Sequence, residues 1–477
     1  MSRFLKLMSV LAIVALIAVP AFAEVQNVKV SGDIDTKVIY RNNYDFKQGP
    51  TAGAVANSDK DIWYMTTARV QIDADLTDNV STCVRLLNER DWTVEGADTN
   101  AITLDLASVK MKEMFYAPLT LTIGRQNLRF GNGLVVGDPD TNDAVAATTV
   151  AITAADLSAR KSFDAIRATL DYNPLVLDII IAKINAGGIG TGDLRDDTDL
   201  YGINAAYKFN QYNSEVEAYL FERNTRVGTL LTSTKTDKLY VYGVRGSLEP
   251  ISKLVVDAEL AAQGGDFALS NTNTADREAW AADIGGSYAI DYKWSPKVSA
   301  RYSFRSGQET ETNIGAVTNS ANTDTIATVS PTSKYKAWDT AYEDQTHGIV
   351  ANQIFSGNND GVDSNGHTYN VAVSAVPAQD LTVAADYYYY LLAEEWNTNV
   401  FPAGGTSTRT LGAGAGSAYT VRHDKNLGQE LDLSLAYDYT EDVKLGLTAG
   451  YFLPGKAFLK DNNEMASTVM ADVKVSF

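Results

Sequence analysis

ADVKVSF, residues 471–477, ends the chain, and its reading decides the fold. Ala471, Val473, Val475 and Phe477 fall on one side of a period-two repeat, and Asp472, Lys474 and Ser476 fall on the other. That is a half-apolar strand. With no chain after it, this strand has to pair with a distant segment, and residues 27–41 at the other end have the same character. Pairing the last strand with the first removes both sheet edges, which is what a closed barrel does.

Ahead of that first strand, MSRFLKLMSVLAIVALIAVPAFA (residues 1–23) carries Arg3 and Lys6, an apolar run from Leu7 to Val19, and Ala21-Phe22-Ala23. This is the pattern of a secretory signal with a small-residue cleavage site. The expected arrangement is a leader over 1–23 and one domain over 24–477. No later stretch approaches the roughly 20 apolar residues of a spanning helix. Loss of Arg3 and Lys6 with the leader takes the formal net charge from −19 to −21. Such acidity argues against nucleic acid as a partner. The single cysteine, Cys83, rules out an internal disulfide, so an exported chain of this size has to be held by backbone pairing. A mean hydropathy of −0.15 reads as soluble, but alternating lipid-facing and water-facing residues average to the same value.

About eighteen strand-like segments follow one another, and their links alternate in length. The tight set is 76–79, 116–118, 172–174, 209–213, 249–251, 291–296, 377–380 and 440–442; the long polar set includes 44–58, 130–160, 224–237, 306–365 and 394–426. Short turns on one rim and long loops on the other describe an all-β, antiparallel up-and-down barrel of the outer membrane, with periplasmic turns and extracellular loops. The faces agree. Tyr64, Ala68, Val70, Ile72, Ala74 and Leu76 form a lipid side opposite Thr67, Arg69, Gln71, Asp73 and Asp75. Residues 201–209 and 431–439 sort the same way. Residues 101–116 change phase, and Leu175 to Ile184 is apolar on both faces, as a strand covered from inside by a lumen segment is.

Two blocks narrow the reading. IGRQNLRFGNGLVVGDPD (123–140) and LGQELDLSLAYDYTEDVKLGLTAGYFLPGKAF (427–458) resemble the alginate export family of outer-membrane proteins. The resemblance implies an eighteen-stranded barrel of a Gram-negative outer membrane that secretes an anionic polysaccharide through a positively charged lumen gated by loops. Arg125 matches the arginine of the family's GRQ motif. The alternating last strand ending in Phe477 also resembles the signature read by the periplasmic barrel-assembly machinery, an expected partner.

An acidic chain can pass an anionic polymer only if its positive residues gather along the path. Arg69, Arg85, Arg125, Arg167, Arg245 and Arg301 all fall roughly half-way up strands of 9 to 11 membrane residues. A lipid-facing arginine at the midplane costs about 2–4 kcal/mol, so six cost on the order of 12–24. Typical net stabilities are roughly 5–15 kcal/mol. These arginines are therefore expected to line the pore, four of them (Arg69, Arg85, Arg125, Arg167) as a basic wall. Asp257, Glu259 and Asp283 are expected to form an acidic counter-wall. The expected outcome is weak ion preference or a transverse field, with satisfied ion pairs as the plainer reading of the same charges.

His347, His367 and His423 fall in expected extracellular loops without zinc spacing. Asp360, Asp363 and Asn365 are spaced like part of a calcium loop, and Asp138, Asp140 and Asp143 form a second acidic cluster. Both lack the closing glutamate of an EF-hand, and ordinary turn chemistry explains them without a metal. The Tyr387–Tyr390 run alternates faces, two rings toward lipid and two inward, where packing against a loop plug competes with stacking on sugars. The function expected is a channel without covalent chemistry, for small hydrophilic solutes or an anionic polysaccharide. Its competitors are a surface hydrolase built at loop level around the His423-Asp424 pair and a structural or adhesive barrel plugged by its own loops.

Overall fold

The computed structural model describes residues 27–47, 60–92, 101–116, 118–140, 155–185, 197–226, 236–268, 274–308, 334–355, 362–395, 417–459 and 462–477, with short paired segments at 317–318, 325–326 and 407–411. The leader, Asp143 and Asp360 lie outside these residues.

Eighteen antiparallel strands follow in chain order. They are β1 (Asn27–Asn42), β2 (Lys60–Thr77), β3 (Val80–Asp91), β4 (Thr103–Met111), β5 (Leu119–Asn127), β6 (Ser162–Asp171), β7 (Leu175–Asn185), β8 (Thr198–Phe209), β9 (Ser214–Arg226), β10 (Thr236–Ile251), β11 (Leu254–Ala268), β12 (Ala279–Ala289), β13 (Lys297–Arg305), β14 (Gly366–Ala378), β15 (Leu381–Leu392), β16 (Asn426–Asp438), β17 (Val443–Pro454) and β18 (Ala466–Ser476). Each pairs with the next. β18 returns to β1, with Ser476 opposite Asp33 and Ser467 opposite Asn42. The sheet therefore has no edge between its first and last strands. Two short segments, Thr274–Arg277 and Lys334–Tyr335, add rungs near the long-loop rim.

Phe477 locks the seam. Its carbonyl accepts the Gly32 N–H at 2.8 Å, and its own N–H donates to Gly32 O at 2.9 Å. The ring lies where a Cβ on Gly32 would stand 2.7 Å from its Cζ, so only glycine leaves room there. All eight tight links fall on this rim, and the nine long ones fall on the other. No helix among the described residues is long and apolar enough to cross a membrane; the strands cross it.

The outer face carries the apolar set expected: Val70 and Ile72 on β2, Tyr201, Ile203 and Tyr207 on β8, and Leu431, Leu433, Leu435 and Tyr437 on β16 are all exposed. The phase change in β4 is a bulge. Arg85 opposes Leu106 and Leu86 opposes Leu104, so Asp105 is the extra residue and both it and Leu106 turn inward. The two-faced apolar strand, β7, shows Ile179 and Ile181 to the outside and buries Ile180 and Ala182 under a lumen segment.

The interior is unevenly filled. On β16 the inward-facing Ser434 and Ala436 near the turn rim are exposed, whereas Asp432 and Glu430 above them are buried. The lower lumen is an open vestibule, and the upper lumen holds folded chain.

Ile203 is 53% exposed on the outer face, two residues above Ala205 and two below Tyr201. Ile203→Arg is expected to destabilise the barrel by about 2–4 kcal/mol in urea titrations in phospholipid vesicles. A loss below about 0.5 kcal/mol, the usual range of surface substitutions, would place that face in water.

Candidate functional site: a loop pair across the lumen

Two long loops supply the filling: L3, residues 128–161 between β5 and β6, and L7, residues 306–365 between β13 and β14. L3 turns inward because its sequence is apolar where it leaves the wall. Leu128, Phe130, Leu134, Val135 and Val136 bury against Ile180, Phe221, Leu239, Val241 and Ala261 on the inner faces of β7 to β11. The turn at its tip needs left-handed backbone, which Gly131 (φ 57) and Gly133 (φ 78) provide. L7 runs alongside. Gly137 and Asp138 donate to Tyr342 O at 2.7 and 3.0 Å, Tyr342 N donates to Val135 O at 2.9 Å, and Asp344 N donates to Gly133 O at 2.7 Å. Trp338 and Tyr342 join the apolar cluster of L3. Arg129 and Lys161 of L3 pair with Asp344 of L7.

Charge fixes both ends of L7. Near β9, Asp339 accepts from Arg223 at 2.9 and 2.5 Å and from Arg277 at 3.2 Å, while Arg277 also holds Asp237 at 2.7 Å. On the opposite wall the short helix α1 (Ala351–Phe355) begins over Glu430, whose carboxylate accepts Val350 N at 2.7 Å and Ala351 N at 2.8 Å. Tyr390 donates to His347 O at 2.8 Å. Ile354 and Phe355 then bury against Phe46, Phe452 and Phe458. L7 thus crosses the upper lumen from the β9–β11 side to the β15–β17 side.

Between this loop pair and the wall of β12 to β15 lies a cavity of about 460 Å³. Its lining mixes Arg129 and Arg301 with Asp283 and Asp344, and adds the uncharged hydrogen-bonding groups of Asn132, Gln345, Thr368 and Asn370 beside the Tyr388 ring.

The residues singled out in the sequence are distributed as follows. Arg69 forks onto Asp33, directly opposite on β1, at 3.0 Å. Arg85 meets the bulged Asp105 at 2.5 Å. Arg167 forks onto Asp178 at 2.7 and 2.9 Å, with its guanidinium 5.4 Å over the Phe130 ring. Arg245 donates to Asn132 Oδ1 at 2.7 Å, and Arg301 holds Asp257 at 2.9 Å and Asp283. Glu259 accepts Asn132 N at 2.7 Å and the Tyr219 hydroxyl at 2.6 Å. Asp257 accepts Asn132 Nδ2 at 3.0 Å, and Glu217 accepts Gly131 N at 3.0 Å. The acidic residues thus serve as the dock for the L3 tip and for Arg301, and each basic residue of the expected wall has its own carboxylate.

Arg125 stands apart from the other five. It shares the strand face of the exposed Ile123, two residues away, and binds Asp164 at 3.0 Å. Asp164 is 59% exposed and is paired in register with Lys183, on the side of Ile166 and Ile181. Arg125 belongs to an outward polar row with Asp164 and Lys183, on the long-loop side of Ile123, Ile166 and Ile181.

Two histidine placements differ from the sequence reading. His367 is the second residue of β14, where its Nδ1 meets the Tyr302 hydroxyl at 2.8 Å and its ring lies against Phe304. His347 is buried in the lumen beside Arg305. His423 pairs with Glu395 at 3.3 Å, both side chains about half exposed. In the acidic clusters, Asp140 is held by Arg160, and Asn365 is spent on Glu394 N and O at 2.7 and 3.0 Å. Among the described residues no three His, Cys, Asp or Glu side chains converge as metal ligands. Tyr387 is exposed on the outer face and Tyr390 is buried against L7, with Tyr388 stacked on it.

Asn132, Arg129, Asp339, Arg223, Arg277 and Glu430 carry the site and were not singled out in the sequence. The available signal was the FGNG run, which marks a tight turn. Nothing local to Asp339 or Glu430 identifies their partners.

Titration of the loops follows from burial. Burial raises Asp138 and Asp363 to about 7, and neither Asp363 oxygen has a hydrogen-bond partner. Burial, reinforced by the neighbouring Arg305, lowers His347 to about 3. At Asp339 burial opposes ionisation, but Arg223 and Arg277 overcome it and hold the carboxyl well below the usual range.

A family model for alginate export matches residues 35–472. Three solved barrels from Pseudomonas aeruginosa share the fold. OpdQ is 12% identical over 95% of this chain and 98% of that one, with a TM-score of 0.51. OpdK is 9% identical over 95% and 99%, TM-score 0.51. OccK2 (OpdF), solved in complex with glucuronate, is 11% identical over 95% and 99%, TM-score 0.51. Identities this low speak to the fold alone. No curated protein sequence matches the chain.

Asp339→Ala leaves Arg223 and Arg277 sharing Asp237, and a broken buried pair costs on the order of 3–5 kcal/mol. Trypsin is expected to cut L7 at Lys334 or Lys336 much faster in that variant; an unchanged rate would show that L7 is held by other contacts. The pH dependence has two signs. A raised carboxyl favours the docked loop below its folded value, so Asp363 and Asp138 weaken docking as pH rises through about 7. Asp339, depressed, withdraws its support only as pH falls below the ordinary carboxylate value of about 4. Cleavage of the native barrel, taken relative to that of an unstructured trypsin substrate at the same pH, is therefore expected to be slower at about pH 6 than at about pH 8.

Proposed function

This chain belongs to the alginate export family, and from that premise we propose that it passes carboxylated sugars and other small hydrophilic solutes beside the L3–L7 pair. At the coarser level it is an outer-membrane channel rather than an enzyme. The observation that carries the finer reading is the cavity left between the loop pair and β12 to β15. Arg129 and Arg301 offer planar forks suited to a carboxylate, and Asn132, Gln345, Thr368 and Asn370 offer both donors and acceptors for hydroxyls. The two arginines face Asp344 and Asp283, so the field runs across the passage more than along it. Anion preference is accordingly modest. Arg69, Arg85, Arg167 and Arg245 extend the lining as paired charges. In this reading solutes pass beside the loop pair without displacing it.

A second reading has the same lumen carry an anionic polysaccharide. It is favoured by the family and requires the L3–L7 pair to act as a gate that swings aside, because a polymer needs a continuous bore.

Planar-bilayer recording tests the proposal. The barrel is expected to show stepwise conductance that glucuronate, the ligand of one barrel of this fold, reduces in a saturable way. Removing one unit charge about 8 Å from a permeating ion at an effective dielectric of about 40 is worth on the order of 1 kcal/mol, about fivefold in permeability ratio. Arg129→Gln is therefore expected to shift the reversal potential toward cations by about that ratio and to weaken the glucuronate block. A conducting barrel that ignores both the sugar acid and this substitution would remove the cavity from the path.

A further inference from the structure

We propose that the outer face of the barrel carries a binding site for the phosphorylated headgroup of an outer-leaflet lipid, in a cavity between the tops of β15 to β17 and the chain that enters β16 and leaves β17. The cavity encloses about 540 Å³ and is lined by Tyr389, Arg422, Gln429, Leu453, Lys456 and Leu459 among others. Tyr389, Gln429 and Leu453 are register neighbours on three successive strands. Their side is the lipid side: Leu453 is exposed and follows Leu445, Leu447 and Tyr451 up the outer face of β17.

The height is the second argument. From Val443 at the lower turn to Leu453 is ten residues. At about 3.3 Å per residue and a tilt of about 40°, that is roughly 25 Å, the height of the apolar band of such barrels. The cavity therefore opens where acyl chains end and headgroups begin.

Charge is the third. Arg422 and Lys456 stand over a floor that includes Tyr389, Leu453 and Leu459, and among the described residues no carboxylate lines the cavity or pairs with either cation. The lumen arginines Arg69, Arg85, Arg129, Arg167, Arg223, Arg277 and Arg301, by contrast, each have an acid. The acids of the neighbouring segment are engaged elsewhere: Glu395 with His423 at 3.3 Å, Glu394 with Lys425 at 3.6 Å, and Asp424 accepting Asn426 N at 2.8 Å. Arg422 is braced by its Nε donating to Lys456 O at 2.5 Å, and both residues line the same cavity.

The backbone builds the notch. β16 carries a bulge against β15 between Tyr390 and Leu391, and Gly428 there has φ 138. A Cβ on it would stand 2.9 Å from the Phe452 ring. Gly455 N donates to Leu427 O at 2.8 Å and Ala457 N to Asn426 O at 2.8 Å, turning the chain outward so that Lys456 overhangs Leu453. Two adjacent cations above aliphatic and tyrosyl surface match a molecule with phosphate at one end and acyl chains at the other. A free phosphate would have no use for the floor, and a sugar polymer leaving the lumen would not meet it.

Native mass spectrometry of the delipidated full chain in detergent tests this, with hexa-acylated bis-phosphorylated lipid A as the probe. One lipid A is expected to be retained per barrel, more tightly than phosphatidylcholine, and millimolar inorganic phosphate is expected to leave it in place. Arg422→Gln with Lys456→Gln should weaken retention by about tenfold or more, since charge-assisted contacts to phosphate are the strong ones. Arg422→Lys should retain most of the binding, and Lys444→Gln at the opposite rim should change nothing. Both cations are exposed, and single-channel conductance of the double variant reports that the barrel has formed. Equal retention of lipid A by native and double-variant barrels, equal retention of phosphatidylcholine, or displacement by inorganic phosphate would each overturn the proposal.

Discussion

Asp339 sits between the guanidiniums of Arg223 and Arg277, and much of the interior depends on that arrangement. An eighteen-stranded cylinder is too wide for its own side chains to fill, so its lumen holds either water or loops, and here the upper part holds loops. A loop entering the lumen brings backbone polar groups and charges into a space ringed by hydrocarbon, where each unmatched group costs several kcal/mol. L7 meets that cost with Asp339 at one end and with Glu430 under the first turn of α1 at the other. L3 meets it with Asn132, which engages Arg245, Asp257 and Glu259 at once. Most lumen charges stand in pairs, because an isolated charge there would neutralise itself or draw in water; Arg305 is an exception, held by Gln345 and His347.

Outside, the same physics runs with the sign reversed. Period-two alternation gives lipid an aliphatic band, and the β1–β18 seam leaves no edge in it. Toward the long-loop rim polar groups join the outer face: Arg125, Asp164 and Lys183 on one side of the barrel, Arg422 and Lys456 on another.

Much of this was legible in the sequence. The strands, the two classes of link, the closure by the last strand and the covered inner face of β7 follow from alternation and length alone, because lipid on one side and water on the other impose a local, repeating pattern. What depends on register was not legible. That Arg69 meets Asp33, or Arg167 meets Asp178, is set by which residues stand opposite, and one residue of slip changes every partner. The bulge at Asp105 showed only as a phase change. Arg125 reads as a lumen residue by its height and as an outward one by its neighbours, and height is the weaker guide because it is blind to face. The loop anchors are least legible of all, since Asp339 and Arg223 are brought together only by the closed wall.

For the proposed passage, what matters is that L3 and L7 hold each other above the lower lumen through the Val135, Val136 and Tyr342 contacts and the Asp344 pairs. The most direct measurement joins Val136→Cys to Tyr342→Cys, which face each other as bridge partners, in a Cys83→Ser barrel held in a planar bilayer. The pair is expected to oxidise in the folded, inserted protein, with the same single-channel conductance before and after. A pair that stays reduced would show that the two loops do not hold each other, and a conductance that collapses on oxidation and returns with reductant would show that solutes pass only when they separate.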